Sequence, residues 1–268
     1  MTSAPAPIVC LHSSGASGRQ WRRLQSDAAA AGHDWTWHAP DLLGHGNRPG
    51  WPQEAVGDLG HEARALLGHL GIPPEQALHL VGHSYGGATA LQIAVMQPDR
   101  VRSLTLYEPV AFGVLAALGD DLPEWREARD AAAAVTAALA RGDADDAARG
   151  FVGYWQGRDV WPELDVPQRA RLAEPMPTIS HHFDALFAAR WTPAQLSTLR
   201  MPVRLIVGGA SRASARRVAQ TLAGLLPNVQ AIELEDAGHM APIADAARVN
   251  PLILEHLAHV HRSPAGRG

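Results

Sequence analysis

Short apolar runs alternate with longer amphipathic stretches along the chain. Six of these runs end at turn-forming residues and have the length of strands buried on both faces of a sheet. They are Ile8–Leu11, 35–39, 78–81, Val101–Tyr107, 203–207 and Val229–Leu234. Helix-like patterns lie at 54–70, 85–97, Ala213–Leu225 and 246–261. Strand alternating with helix predicts an α/β fold, with a mostly parallel sheet of about six strands flanked by helices.

One long segment, 112–196, breaks this rhythm. It is rich in alanine, contains a helical pattern at 131–140, and has no convincing strand. We therefore expect a core formed by 1–111 and 197–268, with 112–196 inserted as a helical cap, or lid, over the carboxyl ends of the strands. The segment contains four tryptophans that either line a pocket or pack the cap on the core: Trp125, Trp155, Trp161 and Trp191.

Composition narrows the class of partner. Of the 268 residues, 46% are hydrophobic and 19% charged, which is enough apolar material for a large core. The formal net charge of −4, without a basic run, argues against nucleic acid and favours a small, weakly charged molecule. The chain has a single cysteine, Cys10, and it starts without a signal-peptide pattern, so we expect a cytoplasmic protein. It also lacks a long apolar run, so we expect no membrane span. The oligomeric state stays open.

The sequence Gly82-His83-Ser84-Tyr85-Gly86 matches G-x-S-x-G between a predicted strand and a predicted helix. In such a turn the glycines leave room for a strained backbone that exposes the serine hydroxyl at the end of the strand. The helix that follows directs its N-terminus toward developing negative charge. Ser84 is therefore the candidate nucleophile.

Four motifs, in order, resemble those of the α/β-hydrolase superfamily, in particular its capped members. They are Leu11-His12-Ser13-Ser14-Gly15, Asp41-Leu42-Leu43-Gly44-His45-Gly46, the Ser84 turn and Ala237-Gly238-His239-Met240. The resemblance implies that His239, after the last strand, is the base that accepts the Ser84 proton, whereas His12 and His45 belong to architectural loop motifs. The side chain of His83, directly before the serine, should point away from the nucleophile. It also implies that the N-terminal strand hairpin of most relatives is missing, since the first predicted strand starts at Ile8.

The third member of the predicted catalytic group is a carboxylate that orients His239. Most relatives carry it after the strand at 203–207, where this chain has Ser211. A subset carries it one strand earlier, and that position is Glu108 here. We therefore predict Glu108 as the acid, with Asp236 or a cap residue such as Asp120 as alternatives.

Two main-chain N–H groups should stabilise negative charge on the substrate oxygen. The resemblance assigns one to Tyr85, directly after the nucleophile, and the other to Ser14 in the loop after the first strand. Ser13 occupies a position where the family usually has glycine.

No cofactor or metal motif is found. Gly208-Gly209 lacks the spacing of a dinucleotide site, and His181-His182 are adjacent residues that do not share a helix face. We expect the C-terminal histidines His256, His259 and His261 to mark an exposed helix end.

Relatives that open epoxides or displace halide have an aspartate at the nucleophile position. The serine at this position in the Ser84 turn predicts an acyl-enzyme instead. Hydrolysis of a carboxylic ester of a small, largely apolar molecule is the first interpretation. Cleavage of a carbon–carbon bond beside a ketone, of a thioester or of a lactone uses the same residues. Acyl transfer, perhydrolysis and a non-catalytic ligand-binding module are further alternatives.

Overall fold

A single twisted sheet runs through the molecule. The computed structural model describes residues 5–262, and all of its strand pairs are parallel. The strands are β1 (Ile8–Leu11), β2 (Trp37–His38), β3 (Leu78–His83), β4 (Val101–Tyr107), β5 (Val203–Gly208) and β6 (Val229–Leu234). Their spatial order is β2-β1-β3-β4-β5-β6, so the predicted six-stranded parallel sheet is confirmed.

Helices cover both faces of the sheet. They are α1 (Arg22–Ala30), α2 (Leu59–Leu70), α3 (Tyr85–Met96), α4 (Pro123–Ala140), α5 (Ala144–Gln156), α6 (Val166–Ala173), α7 (Met176–Ala188), α8 (Pro193–Leu196), α9 (Ala213–Leu225), α10 (Ala241–Ala244) and α11 (Ala246–Arg262). Side chains alternate across the strands, since Ile8 and Cys10 pack with α1 and α11 while Val9 and Leu11 pack with α2 and α3. Within the described residues, no helix is long and apolar enough to cross a membrane.

The segment between β4 and β5 is helical, as its sequence pattern predicts. Helix α4 begins at Pro123, well before the predicted start of the helix at 131–140. Proline suits the first turn because it has no N–H to leave unpaired there. Helix α4 contacts α5 and α7, α5 also contacts α6 and α7, and α7 reaches α2 and α3. The division into core (1–111 and 197–268) and cap (112–196) stays a prediction.

The C-terminal histidines do not form a uniformly exposed helix end. His256 is buried, and its Nδ1 lies 2.9 Å from the hydroxyl of Thr105 on β4. The ring of His261 stacks between those of Trp35 and His79. The exposed-end prediction is wrong for His256 because α11 lies along the sheet and turns that residue inward.

Backbone strain collects at one edge of the sheet. Among the described residues, positive φ outside glycine occurs at Ser84, Glu108 and Asp236, with values of 57°, 42° and 58°. Ser84 and Glu108 come directly after β3 and β4, and Asp236 comes shortly after β6. Such backbone geometry persists only where the surrounding structure enforces it, and it is concentrated at functional sites. The carboxyl edge of the sheet is therefore the candidate location of a functional site.

Candidate active site

Ser84 lies on a tight turn between β3 and α3. Its φ and ψ are 57° and −123°, and the residue is almost fully buried. A Cβ at Gly82 would come within 2.6 Å of Gly86 O and Gly87 Cα. A Cβ at Gly86 would come within 2.4 Å of Leu11 O, on the neighbouring strand. A side chain is therefore excluded two positions before the serine and two positions after it, as the G-x-S-x-G pattern predicts.

His239 is hydrogen-bonded to the Ser84 hydroxyl. Its Nε2 lies 2.9 Å from Ser84 Oγ, and its Nδ1 lies 2.6 Å from Glu108 Oε2. A carboxylate only accepts, so Nδ1–H donates to Glu108 and the Nε2 lone pair faces the serine. The loop that carries His239 is anchored from below, because the Tyr107 hydroxyl donates to Gly238 O at 2.8 Å. The histidine therefore has the tautomer and the orientation that a general base requires.

Glu108 is held on its other oxygen. It is fully buried, and Oε1 accepts from the Gly208 N–H at 2.7 Å and from the Ser211 hydroxyl at 2.5 Å. Its own N–H donates to Ile206 O on β5 at 2.9 Å. Ser211, at the position where most relatives would carry the acid, thus supports the carboxylate that comes from the next strand.

The two alternative acids lie elsewhere. Asp236 and Asp120 are exposed, and the hydrogen bonds of the His239 ring go to Ser84 and Glu108 instead. The structure therefore brings together the three residues singled out in the sequence and leaves these two carboxylates outside the group.

His83 has a supporting role. Its Nε2 lies 2.8 Å from His239 O, while its Nδ1 lies 3.1 Å from the amide nitrogen of Gln20. Since the carbonyl accepts and the amide donates, the ring is a neutral Nε2–H tautomer. Burial holds the pKa of His83 well below its usual value, so the ring stays neutral. His83 fixes the main chain of His239.

The other two competing histidines tie loops together. His12 Nε2 accepts from the Leu42 N–H at 3.0 Å, and His45 Nε2 accepts from the Gly15 N–H at 3.0 Å. Burial lowers the pKa of His12 to about 4 and also lowers that of His45. Both rings therefore remain neutral acceptors that set the path of the loop after β1.

Ser14 and Tyr85 border Ser84 at the two predicted donor positions. Within the described residues neither main-chain N–H donates to another protein group. The Ser14 hydroxyl lies 2.8 Å from His182 Nδ1, and the His182 ring stacks on Tyr85 with 3.6 Å between centroids. Helix α7 thus contacts the loop beside the nucleophile directly.

The partners of Tyr85 continue into the core. Its hydroxyl donates to the fully buried Glu62 at 3.4 Å, and Glu62 also accepts from the Leu43 N–H at 3.1 Å. Burial raises the pKa of the Glu62 carboxyl to about 7. A titratable group therefore lies directly behind the Ser84 turn.

His182 is a residue of the site that could not be predicted from the sequence motifs. Its buried Nε2 has no hydrogen-bond partner within the described residues, which favours the tautomer with Nδ1–H directed at Ser14. The available signal is the apolar face of α7, formed by Met176, Ile179, Phe183 and Leu186, because the buried His182 lies beside it.

Two cavities meet at Ser84. The wide cavity has a volume of about 140 Å³ and is lined by residues of α5, α6 and α7 together with His239 and Met240. The narrow cavity has a volume of about 10 Å³ and extends toward Val110, Phe183 and Leu186. No Asp, Glu, Lys or Arg is found among the described residues that line either one. Both cavities therefore suit uncharged groups.

Of the four tryptophans between β4 and β5, Trp155 is the one that contacts the site. It lines both cavities and stacks on the His239 ring, with 3.8 Å between centroids and 21° between planes. Trp125, Trp161 and Trp191 are buried in the apolar core. Of the two predicted roles, pocket lining therefore applies to Trp155 and packing to the others.

Comparison with known proteins identifies the family of the chain. The model of the alpha/beta hydrolase family matches residues 8–252. Lipase LipV of Mycobacterium tuberculosis is 30% identical over 95% of this chain and 94% of its own length. The pimeloyl-[acyl-carrier protein] methyl ester esterase of Neisseria meningitidis (strain Z2491) is 27% identical over 100% of this chain and 81% of its own length.

A solved structure shares the fold. The thermophilic esterase from Thermogutta terrifontis superposes with a TM-score of 0.73 at 22% identity, covering 97% of this chain and 92% of the esterase. The match to the family model over nearly the whole chain, and the relative with 30% identity, agree with the six-stranded parallel sheet. The chain is therefore a hydrolase of the alpha/beta hydrolase family.

Proposed function

We propose that this hydrolase cleaves a carboxylic ester of a small, largely apolar substrate through an acyl-enzyme on Ser84. The observation that carries the proposal is the continuous hydrogen-bond chain from Glu108 through His239 to Ser84. A serine hydroxyl becomes a strong nucleophile when an oriented base accepts its proton. The two hydrogen-bonding distances along this chain, 2.6 Å and 2.9 Å, support such a proton transfer.

The first half of the reaction transfers the acyl group. Ser84 Oγ attacks the ester carbonyl carbon while its proton moves to His239 Nε2. The carbonyl oxygen becomes an oxyanion, and the main-chain N–H groups of Ser14 and Tyr85 donate to it. When the tetrahedral intermediate collapses, the bond to the alcohol oxygen breaks and His239 returns the proton to that oxygen. The alcohol leaves, and the acyl group stays on Ser84.

Water completes the cycle. His239 Nε2 accepts a proton from a water molecule, whose oxygen attacks the acyl carbon. Collapse of the second intermediate breaks the bond to Ser84 Oγ and returns the proton to that oxygen, so a carboxylic acid is released. Glu108 stabilises the imidazolium that forms in both halves without taking its proton.

The inserted segment acts in this proposal as a cap over the substrate. Helices α5, α6 and α7 supply most of the apolar lining of the wide cavity. Excluding water around the reacting atoms strengthens the electrostatic interactions that stabilise the oxyanion. The lack of charged residues in the described lining favours a neutral ester over an anionic substrate. The lipase and esterase relatives support the same choice of bond.

A fluorophosphonate that reacts with activated serines tests the proposal directly. We expect one covalent adduct per chain, located on Ser84 by peptide mass spectrometry and absent in Ser84→Ala. A protein that acquires no adduct on Ser84 would not be a serine hydrolase.

A second experiment compares bonds. p-Nitrophenyl esters of increasing acyl length are assayed beside a lactone and a thioester. The ester assignment predicts the highest kcat/KM within the ester series. Higher kcat/KM for the lactone or thioester would keep the nucleophile and replace the substrate class.

A further inference from the structure

The two cavities at Ser84 differ greatly in size. One water molecule needs roughly 10–15 Å³ of accessible space, so the narrow cavity of about 10 Å³ has room for at most one small group, no larger than about a methyl. The wide cavity of about 140 Å³ is close to the roughly 150 Å³ of an engineered protein cavity that binds benzene. A substrate spanning both cavities is therefore strongly asymmetric about its reacting carbonyl.

The position of His239 decides which half of an ester enters which cavity. His239 must protonate the leaving alcohol oxygen, so the alcohol has to lie on the histidine side of Ser84. His239 and Met240 line the wide cavity, whereas neither of them lines the narrow one. The narrow cavity is bounded instead by Val110, Phe183 and Leu186. The alcohol therefore belongs to the wide cavity and the acyl group to the narrow one.

The walls of the narrow cavity belong to the packed apolar interior. Val110, Phe183 and Leu186 are buried and belong to the main apolar core, and the Phe183 ring packs against the rings of Phe151 and Phe187. A longer acyl chain would have to displace these side chains, and overpacking a well-packed interior costs about 1–3 kcal/mol.

We propose that the preferred substrates are acetate-type esters of an uncharged, apolar alcohol about the size of a benzyl group. The proposal rests on the ester-hydrolase function given above and adds the direction in which the ester binds. The acyl group that stays on Ser84 is small, and the larger half leaves as the alcohol.

Two isomeric esters test the direction. Benzyl acetate places its ring on the alcohol, and methyl phenylacetate places the same ring on the acyl group. We expect kcat/KM for benzyl acetate to exceed that for methyl phenylacetate by at least about tenfold. Equal values within about threefold, or the reverse preference, would overturn the assignment of the cavities.

Fluorophosphonate labelling of Ser84 is measured in parallel. A labelled enzyme that prefers methyl phenylacetate, or that cleaves neither ester, disproves the binding direction alone. An enzyme without label and without activity disproves the proposed function itself. The two failures are therefore distinguishable.

A pair of leucine variants tests the narrow cavity. Leu186→Ala enlarges it, so we expect the ratio of kcat/KM for benzyl butyrate to that for benzyl acetate to rise at least about tenfold. Leu222→Ala, on α9 and equally buried, removes the same atoms away from either cavity and should leave the ratio unchanged. Val110→Ala gives a second enlargement if Leu186→Ala does not fold. An unchanged ratio in the folded enlarged variants, or an equal rise in Leu222→Ala, would disprove the proposal.

Discussion

Glu108→Gln isolates the role of the carboxylate. The Oε1 atom of Glu108 accepts from both the Gly208 N–H and the Ser211 hydroxyl, while Oε2 faces His239 Nδ1. Glutamine has a single oxygen, and the two donors on one side hold that oxygen there. Its NH₂ group then points at His239 Nδ1, which must become the acceptor. The proton moves to Nε2, and the lone pair that should accept the Ser84 proton is lost.

The expected magnitude follows from this tautomer change. Replacing the triad carboxylate of a serine protease by an amide, with the geometry intact, lowers kcat by about 10⁴. We expect a loss of the same order here, equivalent to about 5 kcal/mol of transition-state stabilisation. The substitution preserves shape, so the folded structure should persist. The assay combines p-nitrophenyl acetate turnover with the rate of fluorophosphonate labelling and a urea denaturation curve.

Asp236→Asn is the matched control, since it makes the same carboxylate-to-amide change on the loop that carries His239. Asparagine tolerates the positive φ of 58° at this position. We expect its kcat to stay within about twofold of the unmodified enzyme. If Glu108→Gln kept more than about a tenth of the activity, or Asp236→Asn showed the large loss, the reasoning from tautomer to rate would be refuted.

A rescue experiment asks whether the acid can change strands. Ser211 is in direct contact with Glu108, and an aspartate there would bring a carboxylate from the loop after β5. In a Glu108→Ala background, adding Ser211→Asp should raise kcat at least about tenfold above that of Glu108→Ala alone. No recovery in a folded double variant would show that the loop after β5 cannot direct a carboxylate at His239.

Three further perturbations test the surroundings of the site. Because the folded-state pKa of Glu62 is raised from 4.5 to about 7, its stabilisation is complete below about pH 4.5 and is lost as pH rises through about 7. Urea denaturation should therefore show that the free energy of unfolding of Glu62→Gln rises relative to that of the unmodified protein by about 3 kcal/mol between about pH 4.5 and pH 8, at about 1.4 kcal/mol per pH unit. A difference between the two proteins that does not change with pH would contradict the raised pKa of Glu62. Gly86→Ala should lower the free energy of unfolding by more than about 3 kcal/mol, because the new Cβ would clash with Leu11 O. Gly68→Ala, in open space on α2, is the control and should raise the free energy of unfolding by about 0.5–1 kcal/mol. Similar melting temperatures for the two variants would refute the close approach of Gly86 to Leu11. Ser14→Ala keeps the main-chain donor, so kcat should fall by less than about tenfold; a loss of about 10²–10³ would instead make the hydroxyl itself a donor to the oxyanion.

The strands could be predicted because each is an apolar run with a turn-forming residue after it. The sheet edge was harder to delimit. The prediction for the second strand covered 35–39, whereas β2 contains Trp37–His38. The strand starts at Trp37, which pairs with Ile8, the first residue of β1, and it ends shortly before Pro40, which has no N–H with which to extend the pairing. The start of α4 was also missed, because Pro123 and the polar residues after it interrupt the alanine-rich pattern without interrupting the helix.

Positions fixed by strand ends could be predicted, whereas positions fixed by packing could not. Ser84, Glu108 and His239 each follow a strand, and parallel strands bring their carboxyl ends to one edge. His182 and Trp155 reach the same place from helices α7 and α5. Their contacts depend on how the helices between β4 and β5 pack over the end of the sheet, which no local pattern determines. A buried histidine beside an apolar helix face was the one signal available.

The stack of Trp155 on His239 has an electronic consequence. When His239 holds the serine proton, its ring carries a positive charge that faces the π electrons of the indole at 3.8 Å. Such a cation–π contact contributes about 0.5–2 kcal/mol, with the larger values in desolvated sites. The attraction exists only while the imidazole is charged, so it lowers the energy of both tetrahedral intermediates more than that of the resting enzyme. In the proposed reaction, α5 thus helps to stabilise the protonated base through Trp155, in addition to forming part of the wall around the substrate.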